Sequence, residues 1–331
     1  MTLRFELDQP RFVPQDERPG AYRWWYFDAV ADDERSAFTA IFLLGSIFSP
    51  SYAARLARGE EASPLDHSAV SFVYYRRGEL PLFCFSEYGA ERFARTKRGV
   101  RIARSSFTRA TDGTFHVAIE ETRVALRAPV RATFELTPLE PSITARPVQL
   151  SGREHEWHGI APRARVRGEV DGVAAFEGLG YHDTNFGSEP PARLLSSWSW
   201  GRVHDHDRTR VFFDLATTDG RRSHELFGTG GERRTSILPP RRARTSIANW
   251  LMPMPRVFEA EPGHALSGVR SLERAPFYHR FLASFPLGKN GARRVGLGEH
   301  IDFERLSHPF VRRMISLRLA RPDRGEWGTL P

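Results

Sequence analysis

Short segments crowded with aromatic and β-branched residues, most of them flanked by Gly, Asp or Asn, recur along this chain and constrain its fold more than any other feature. Tyr22 to Asp28 (YRWWYFD), Ser68 to Tyr75, Phe115 to Glu120 and Val211 to Ala216 are of this kind. Strand signals punctuated at such short intervals predict an all-β barrel or sandwich. Helical periodicity is scarce. Its two candidates, Ser51 to Arg58 closed by Gly59 and Glu304 to Met314 interrupted by Pro309, are short enough to be accessory elements.

A chain of 331 residues, 40% of them hydrophobic, carries enough apolar side chain for two cores of ordinary size. The break falls where Gly187 to Ala192 collects Ser, Glu and two prolines just before a new aromatic strand, Trp198-Ser-Trp-Gly-Arg202. Two β domains are therefore predicted, residues 1–190 and 191–331. The Pro-, Arg- and Gly-rich stretch from Gly228 to Arg244 reads as a long loop inside the second.

Composition removes several functional classes. The segment MTLRFELDQPRF has charges at Arg4, Glu6 and Asp8 where a signal peptide needs an apolar core. The most apolar run, Ala37 to Phe48, is far short of the roughly 20 residues of a spanning helix, so a cytoplasmic location is expected. Cys84, the single cysteine, excludes an internal disulfide and a Cys-based zinc site and reads as a buried thiol. Only Lys97 and Lys289 among 48 basic residues are lysine, so the net charge of +8 is almost all arginine, as a GC-rich genome produces. No basic run interleaved with stacking aromatics marks a nucleic-acid groove. No nucleophile elbow, phosphate loop or dinucleotide fingerprint occurs, and no cofactor is expected. His155 with His158, or His204 with His206, would need a third converging ligand to hold zinc or iron, and His204 to Asp207 reads as an exposed hairpin loop. No metal site is expected.

The stretch Gly180-Tyr-His-Asp-Thr-Asn-Phe-Gly187 gathers an acid, an imidazole, a phenol and an amide. Turn chemistry accounts for Asp, Asn and Gly there but not for Tyr181 and His182. In an extended segment residues two apart share a face, which pairs Tyr181 with Asp183, His155 with Trp157 and Trp198 with Trp200. A pocket of such side chains is largely apolar, and desolvation there favours a protonated Asp183 able to act as an acid. Such an acid can protonate an electron-rich carbon–carbon double bond to a tertiary cation, which the faces of Trp157, Trp198 or Trp200 can stabilise. Water held against His155 or Tyr181 would complete a hydration. Exclusion of water would lead to cyclisation or isomerisation.

Seven ordered blocks add a resemblance: Trp25 to Ala29, Gly45 to Pro50 with Tyr52, His155 to Trp157 with Ile160 to Pro162, Gly180 to Gly187, Trp198 to Arg202, Leu272 to Tyr278, and Phe310 to Pro322. In these blocks the chain resembles the carotenoid 1,2-hydratases, or hydroxyneurosporene synthases, of the lipocalin-like superfamily that also holds cyclases and pericyclases. The resemblance implies a two-domain, all-β, lipocalin-like fold and cofactor-independent addition of water to the terminal isoprenoid double bond of an acyclic carotenoid. The family's acid lies in a Tyr-x-Asp-x-Asn-x-Gly motif, which falls on Asp183, with Tyr181, His155 and Trp157 in support. Trp25, Asn185, Trp198, Trp200 and Tyr278 are expected to line the substrate. A terpenoid cyclase or pericyclase on the same scaffold and a non-catalytic carrier of apolar ligands are the alternatives. A water-insoluble polyene also implies peripheral contact with a membrane, which surface arginine would assist.

Overall fold

The computed structural model describes residues 18–124, 126–144, 148–150, 153–171, 173–205, 208–238, 245–247, 253–255, 259–261, 264–287 and 292–327. They divide into two compact units, one running to Pro190 and taking in the chain again from Arg312, the other spanning Pro191–Val311.

The first unit is built on one antiparallel sheet of thirteen strands. Its strands are β1 (Tyr22–Ala31), β2 (Ser36–Leu44), β3 (Ser68–Arg76), β4 (Leu82–Tyr88), β5 (Phe93–Thr96), β6 (Gly99–Ile102), β7 (Ser105–Arg109), β8 (Phe115–Thr122), β9 (Pro129–Pro138), β10 (Ile143–Thr144), β11 (Val148–Leu150), β12 (Arg153–Val170) and β13 (Val173–Gly187). The order across the sheet is β4-β3-β2-β1-β13-β12-β9-β8-β7-β6-β5, with β10 and β11 both on β12. β1 is buried on both faces and therefore reads as an unbroken aromatic run, whereas β9 alternates buried with exposed positions. One face of the sheet carries a phenylalanine core that includes Phe27, Phe38, Phe42, Phe72, Phe134 and Phe176, with Phe38 stacked on Phe134 at 3.8 Å between centroids. Burying each such ring contributes about 1.5–3 kcal/mol. Cys84 lies in this core as a free, buried thiol.

The outer edge of β4 does not stay open. Ala320 bridges Ser86, accepting from the Glu87 amide at 2.8 Å and donating to the Phe85 carbonyl at 2.8 Å, and Arg321 binds the Glu87 carboxylate at 2.9 Å. The chain end thus covers an edge that would otherwise offer its amides to another strand. The helical signal after β2 becomes α1 (Pro50–Ala57), with Pro50 in its first turn and the Ser49 hydroxyl accepting from the Tyr52 amide at 3.1 Å.

The second unit has a seven-stranded sheet formed by β14 (Leu195–His204), β15 (Thr209–Thr217), β16 (Arg222–Gly228), β17 (Glu232–Leu238), β22 (Ser267–Ala275), β23 (Tyr278–Leu287) and β24 (Ala292–Asp302), in the order β17-β16-β15-β14-β24-β23-β22. Two small ladders, β18 (Thr245–Ile247) with β19 (Pro253–Pro255) and β20 (Glu259–Glu261) with β21 (His264–Ala265), lie between. Phe212, Phe281 and Phe285 anchor the core. The second helical signal resolves into α2 (Phe303–Leu306) and α3 (Pro309–Ser316), since Pro309 cannot continue a helix but can start one.

Two sequence expectations are corrected. Glu232–Leu238 is not loop but an edge strand in unbroken register with β16; its exposed Arg233, Arg234 and Thr235 masked the signal. Residues 239–244 of that stretch lie outside the described residues. His204 is not in an exposed loop: it is buried at the end of β14 with Nδ1 2.9 Å from the Thr209 hydroxyl. His206 and Asp207 lie outside the described residues. Among the described residues no helix is long and apolar enough to cross a membrane.

Candidate active site

Three adjacent strands of the first unit, β1, β13 and β12, fix the site by register. Asp183 on β13 stands opposite Tyr26 on β1 and Gly159 on β12; Tyr181 stands opposite Asp28, and Asn185 lies between Trp24 and Trp157. His155 pairs across to Gly187, whose other neighbour is Tyr22. These residues share the face that points away from the phenylalanine core, because the alternate residues Trp25 and Phe27 belong to that core. The turn reading of Asp183 to Gly187 is therefore overturned: the segment is the end of a fifteen-residue strand, paired on both sides.

Asp183 is buried, 3% exposed, yet surrounded by donors. The Trp157 indole N–H reaches its Oδ2 at 2.9 Å and the Tyr181 hydroxyl at 3.1 Å; Tyr181 donates to the same Oδ2 at 2.7 Å, and the Asn185 amide donates to Oδ1 at 3.0 Å. Gly159 makes the indole's position possible. A Cβ there would lie 3.1 Å from Trp157 Cζ2, so the missing side chain opposite Asp183 is where the indole lies down toward the carboxyl. Gly180 performs a similar service for the strands themselves, since a Cβ would meet the Asp28 carbonyl at 2.5 Å and Val166 at 2.6 Å.

Around this quartet stands an aromatic wall. Tyr22 stacks on Trp24 at 5.2 Å, the Tyr26 ring meets Tyr181 edge-on at 6.2 Å, and Tyr22 places its hydroxyl 2.5 Å from His155 Nδ1. Burial, with the Asp183 carboxyl next in importance, holds the Tyr181 hydroxyl far above its ordinary range, so it stays a neutral donor. Burial also pushes the His155 imidazole down to about 4, which makes it neutral at physiological pH.

Of the residues predicted from sequence, Tyr181, Asp183, Trp157 and Asn185 are in direct contact, with His155 beside them. Trp25 is on the face of β1 opposite Asp183: its ring packs against Phe107 at 5.8 Å within the core. Trp198, Trp200 and Tyr278 belong to the second unit, on a sheet face whose buried Arg280 binds Glu299 at 2.7 Å and lies 5.1 Å over the Tyr278 ring. Tyr22, Trp24, Tyr26 and Asp28 share this face as well, and the signal for them is their spacing of two in YRWWYFD. A separate cavity of about 380 Å³ lies at the chain-end strap, lined by Ser51, His67, Glu87 and Arg321 among others, and is strongly ionic. Among the described residues no cluster of His, Cys, Asp and Glu is arranged to hold a metal ion.

An all-β architecture of this kind is lipocalin-like. Kievitone hydratase from Nectria haematococca shares the fold, with a TM-score of 0.57 over 91% of this chain and 95% of that one at 11% identity. The chain belongs to the family described as carotenoid hydratase CrtC, whose pattern matches residues 40–328. It is similar to the acyclic carotenoid 1,2-hydratase of Thiocapsa roseopersicina, 29% identical over 92% of this chain and 74% of the relative. It is also similar to the acyclic carotenoid 1,2-hydratase of Rubrivivax gelatinosus, 32% identical over 82% of this chain and 66% of the relative.

Proposed function

We propose that this protein is a hydro-lyase that adds water to the terminal isoprenoid double bond of an acyclic carotenoid, with Asp183 as the proton donor and no cofactor in the reaction. The observation that carries the reading is the convergence of Trp157, Tyr181 and Asn185 on one buried carboxyl. The three donors stabilise the carboxylate formed as the proton leaves. Charge-assisted bonds of this type are worth about 1.5–3 kcal/mol each, and they gain that strength as charge develops.

The steps balance without any further reagent. The Asp183 O–H breaks as a C–H bond forms at the less substituted alkene carbon, using the π pair and leaving a tertiary cation. The rings of Trp24, Tyr26 and Trp157 lie on the same face as Asp183 and can stabilise it. A water oxygen then bonds to the cation, and the proton it sheds returns to the Asp183 carboxylate. The enzyme is restored and the product is a tertiary alcohol.

An acyclic carotenoid is effectively insoluble in water, so the substrate comes from a bilayer and the protein makes peripheral contact with it. A net charge of +8 and the exposed Phe310 on α3, followed by Arg312 and Arg313, support docking to anionic lipid. Incubation with lycopene or neurosporene in ¹⁸O-labelled water tests the reaction. Label in a tertiary alcohol is expected; isomers without label would indicate a cyclase, and unchanged polyene a carrier.

A further inference from the structure

The hydrogen bonds that converge on Asp183 have a direction, and beside them, at the start of β1 and before the range of the family match, the Tyr22 hydroxyl bonds His155. Tyr22 is buried, and burial holds its phenol far above the ordinary range, so its hydroxyl keeps a proton to donate. Its neighbour His155 is a neutral imidazole with a single ring N–H. Asn185 interacts with that imidazole and donates its amide N–H to Asp183 Oδ1 at 3.0 Å. An amide that turns its NH2 toward Asp183 turns its carbonyl oxygen away and can only accept on that side. Tyr22 O–H donates to His155 Nδ1 and Asn185 N–H to Asp183, which leaves His155 Nε2 as the ring nitrogen that can carry the proton and act on Asn185.

We propose that Tyr22 is a positioning residue for the hydration: its hydroxyl holds His155 in the Nε2–H tautomer and, through that ring, commits the Asn185 amide to donating toward Asp183. Without the hydroxyl, His155 is free to carry its proton on Nδ1, and a bare Nε2 invites Asn185 to turn its NH2 round. The amide carbonyl would then face Asp183 Oδ1 and favour the acid that keeps its proton over the carboxylate that has released it. Tyr22 thereby tunes the acid without touching substrate, and it denies His155 the role of base at Nε2.

The effect on rate rests on Asp183 being the proton donor; the tautomer does not. Protein labelled with ¹⁵N-histidine, with the His155 signals assigned by their loss in His155→Gln, reads the two ring nitrogens separately in long-range proton–nitrogen correlation spectra. The parent protein is expected to show a protonated Nε2 and an unprotonated Nδ1 at pH 7. Tyr22→Phe is expected to shift both nitrogens toward a tautomer mixture and to lower kcat about three- to tenfold, the size of one neutral hydrogen bond, with KM for lycopene little changed. A parent protein with the proton on Nδ1 overturns the proposal outright, even if Tyr22→Phe fails to fold. So does a Tyr22→Phe protein that keeps the pure Nε2–H tautomer, or one that keeps the parent kcat while Asp183→Asn is inactive. If Asp183 were not the acid, the tautomer result would stand and only the kcat effect would vanish.

Discussion

Replacement of Asp183 by Asn separates the chemistry of this site from its architecture. The carboxyl accepts from Trp157 and Tyr181 at Oδ2 and from Asn185 at Oδ1. An amide has one accepting oxygen, so whichever way it turns, its NH2 meets at least one donor. The conflict is smallest with the amide oxygen in place of Oδ2, where it keeps two bonds and only the Asn185 amide must turn. A lost bond and an unpaired buried donor cost about 1–3 kcal/mol, which a domain stable by roughly 5–15 kcal/mol survives. Turnover is another matter. An amide cannot deliver a proton, and loss of a general acid costs about 10²–10⁴ in rate, or roughly 2.7–5.4 kcal/mol of barrier. Because Asp183 is only 3% exposed, bulk water has little access as a substitute acid, and the upper end of that range is expected. Three measurements decide: hydroxylated product formed from lycopene, polyene binding, and the urea midpoint. An Asp183→Asn protein that folds, binds the polyene and hydrates it at the parent rate would falsify the assignment of Asp183 as the acid.

Trp157→Phe keeps a ring but removes the N–H shared between Asp183 and Tyr181, so kcat should fall about ten- to a hundredfold with the urea midpoint less affected; an unchanged kcat would mean that the indole only packs. Glu121 is buried under bonds from Tyr88 and Ser105 at 2.8 Å each, and burial raises its carboxyl from 4.5 to about 7. Its folded state binds the proton more tightly than the unfolded chain, so this contribution is complete below about pH 4.5 and is lost, by roughly 3 kcal/mol, as pH rises through 7. Urea unfolding from pH 5 to 9 should show that loss in the parent relative to Glu121→Gln. His155 works in the opposite sense: held at about 4 against an ordinary 6.5, it contributes stability above pH 6.5 that disappears as pH falls toward 4. His155→Gln should flatten the acid limb of the same titration, and a parent-like limb would refute the burial argument. Flotation with anionic vesicles at low salt should recover the protein, and Phe310→Ser should reduce the recovered fraction; equal recovery would remove α3 from the contact.

The β class and both helical segments were written in residue type and spacing, but the site strand β13 and the choice of face were not. YRWWYFD has aromatic residues at five of its seven positions, so nothing in its pattern separates Trp24 and Tyr26, which share the face of Asp183, from Trp25 and Phe27, which enter the core. A strand buried on both sides loses the alternation that normally reports its orientation. The Gly, Asp and Asn of Gly180 to Gly187 imitate a turn for a related reason. Gly180 is there because β1 and β12 approach too closely for a side chain, while Asp183 and Asn185 are there to bond each other.

His182 supplies the clue that decides the face, and it is a clue only in three dimensions. Its ring stacks on Phe27 at 3.9 Å with planes 5° apart, and its Nδ1 lies 2.9 Å from the Tyr26 carbonyl. Burial pushes it to about 3, so it enters the phenylalanine core as a neutral aromatic ring. With His182 on that side, Tyr181 and Asp183 must point to the other. Sliding β13 by one residue against β1 would exchange the faces, sending Asp183 with Tyr181 and Asn185 in among Phe27, Phe107 and Phe115, out of reach of the Trp157 N–H, and leaving the His182 ring on the side of Trp157. The cost of placing these polar groups in the phenylalanine core opposes that slip, and the native register is also the one that brings the Trp157 N–H to Asp183.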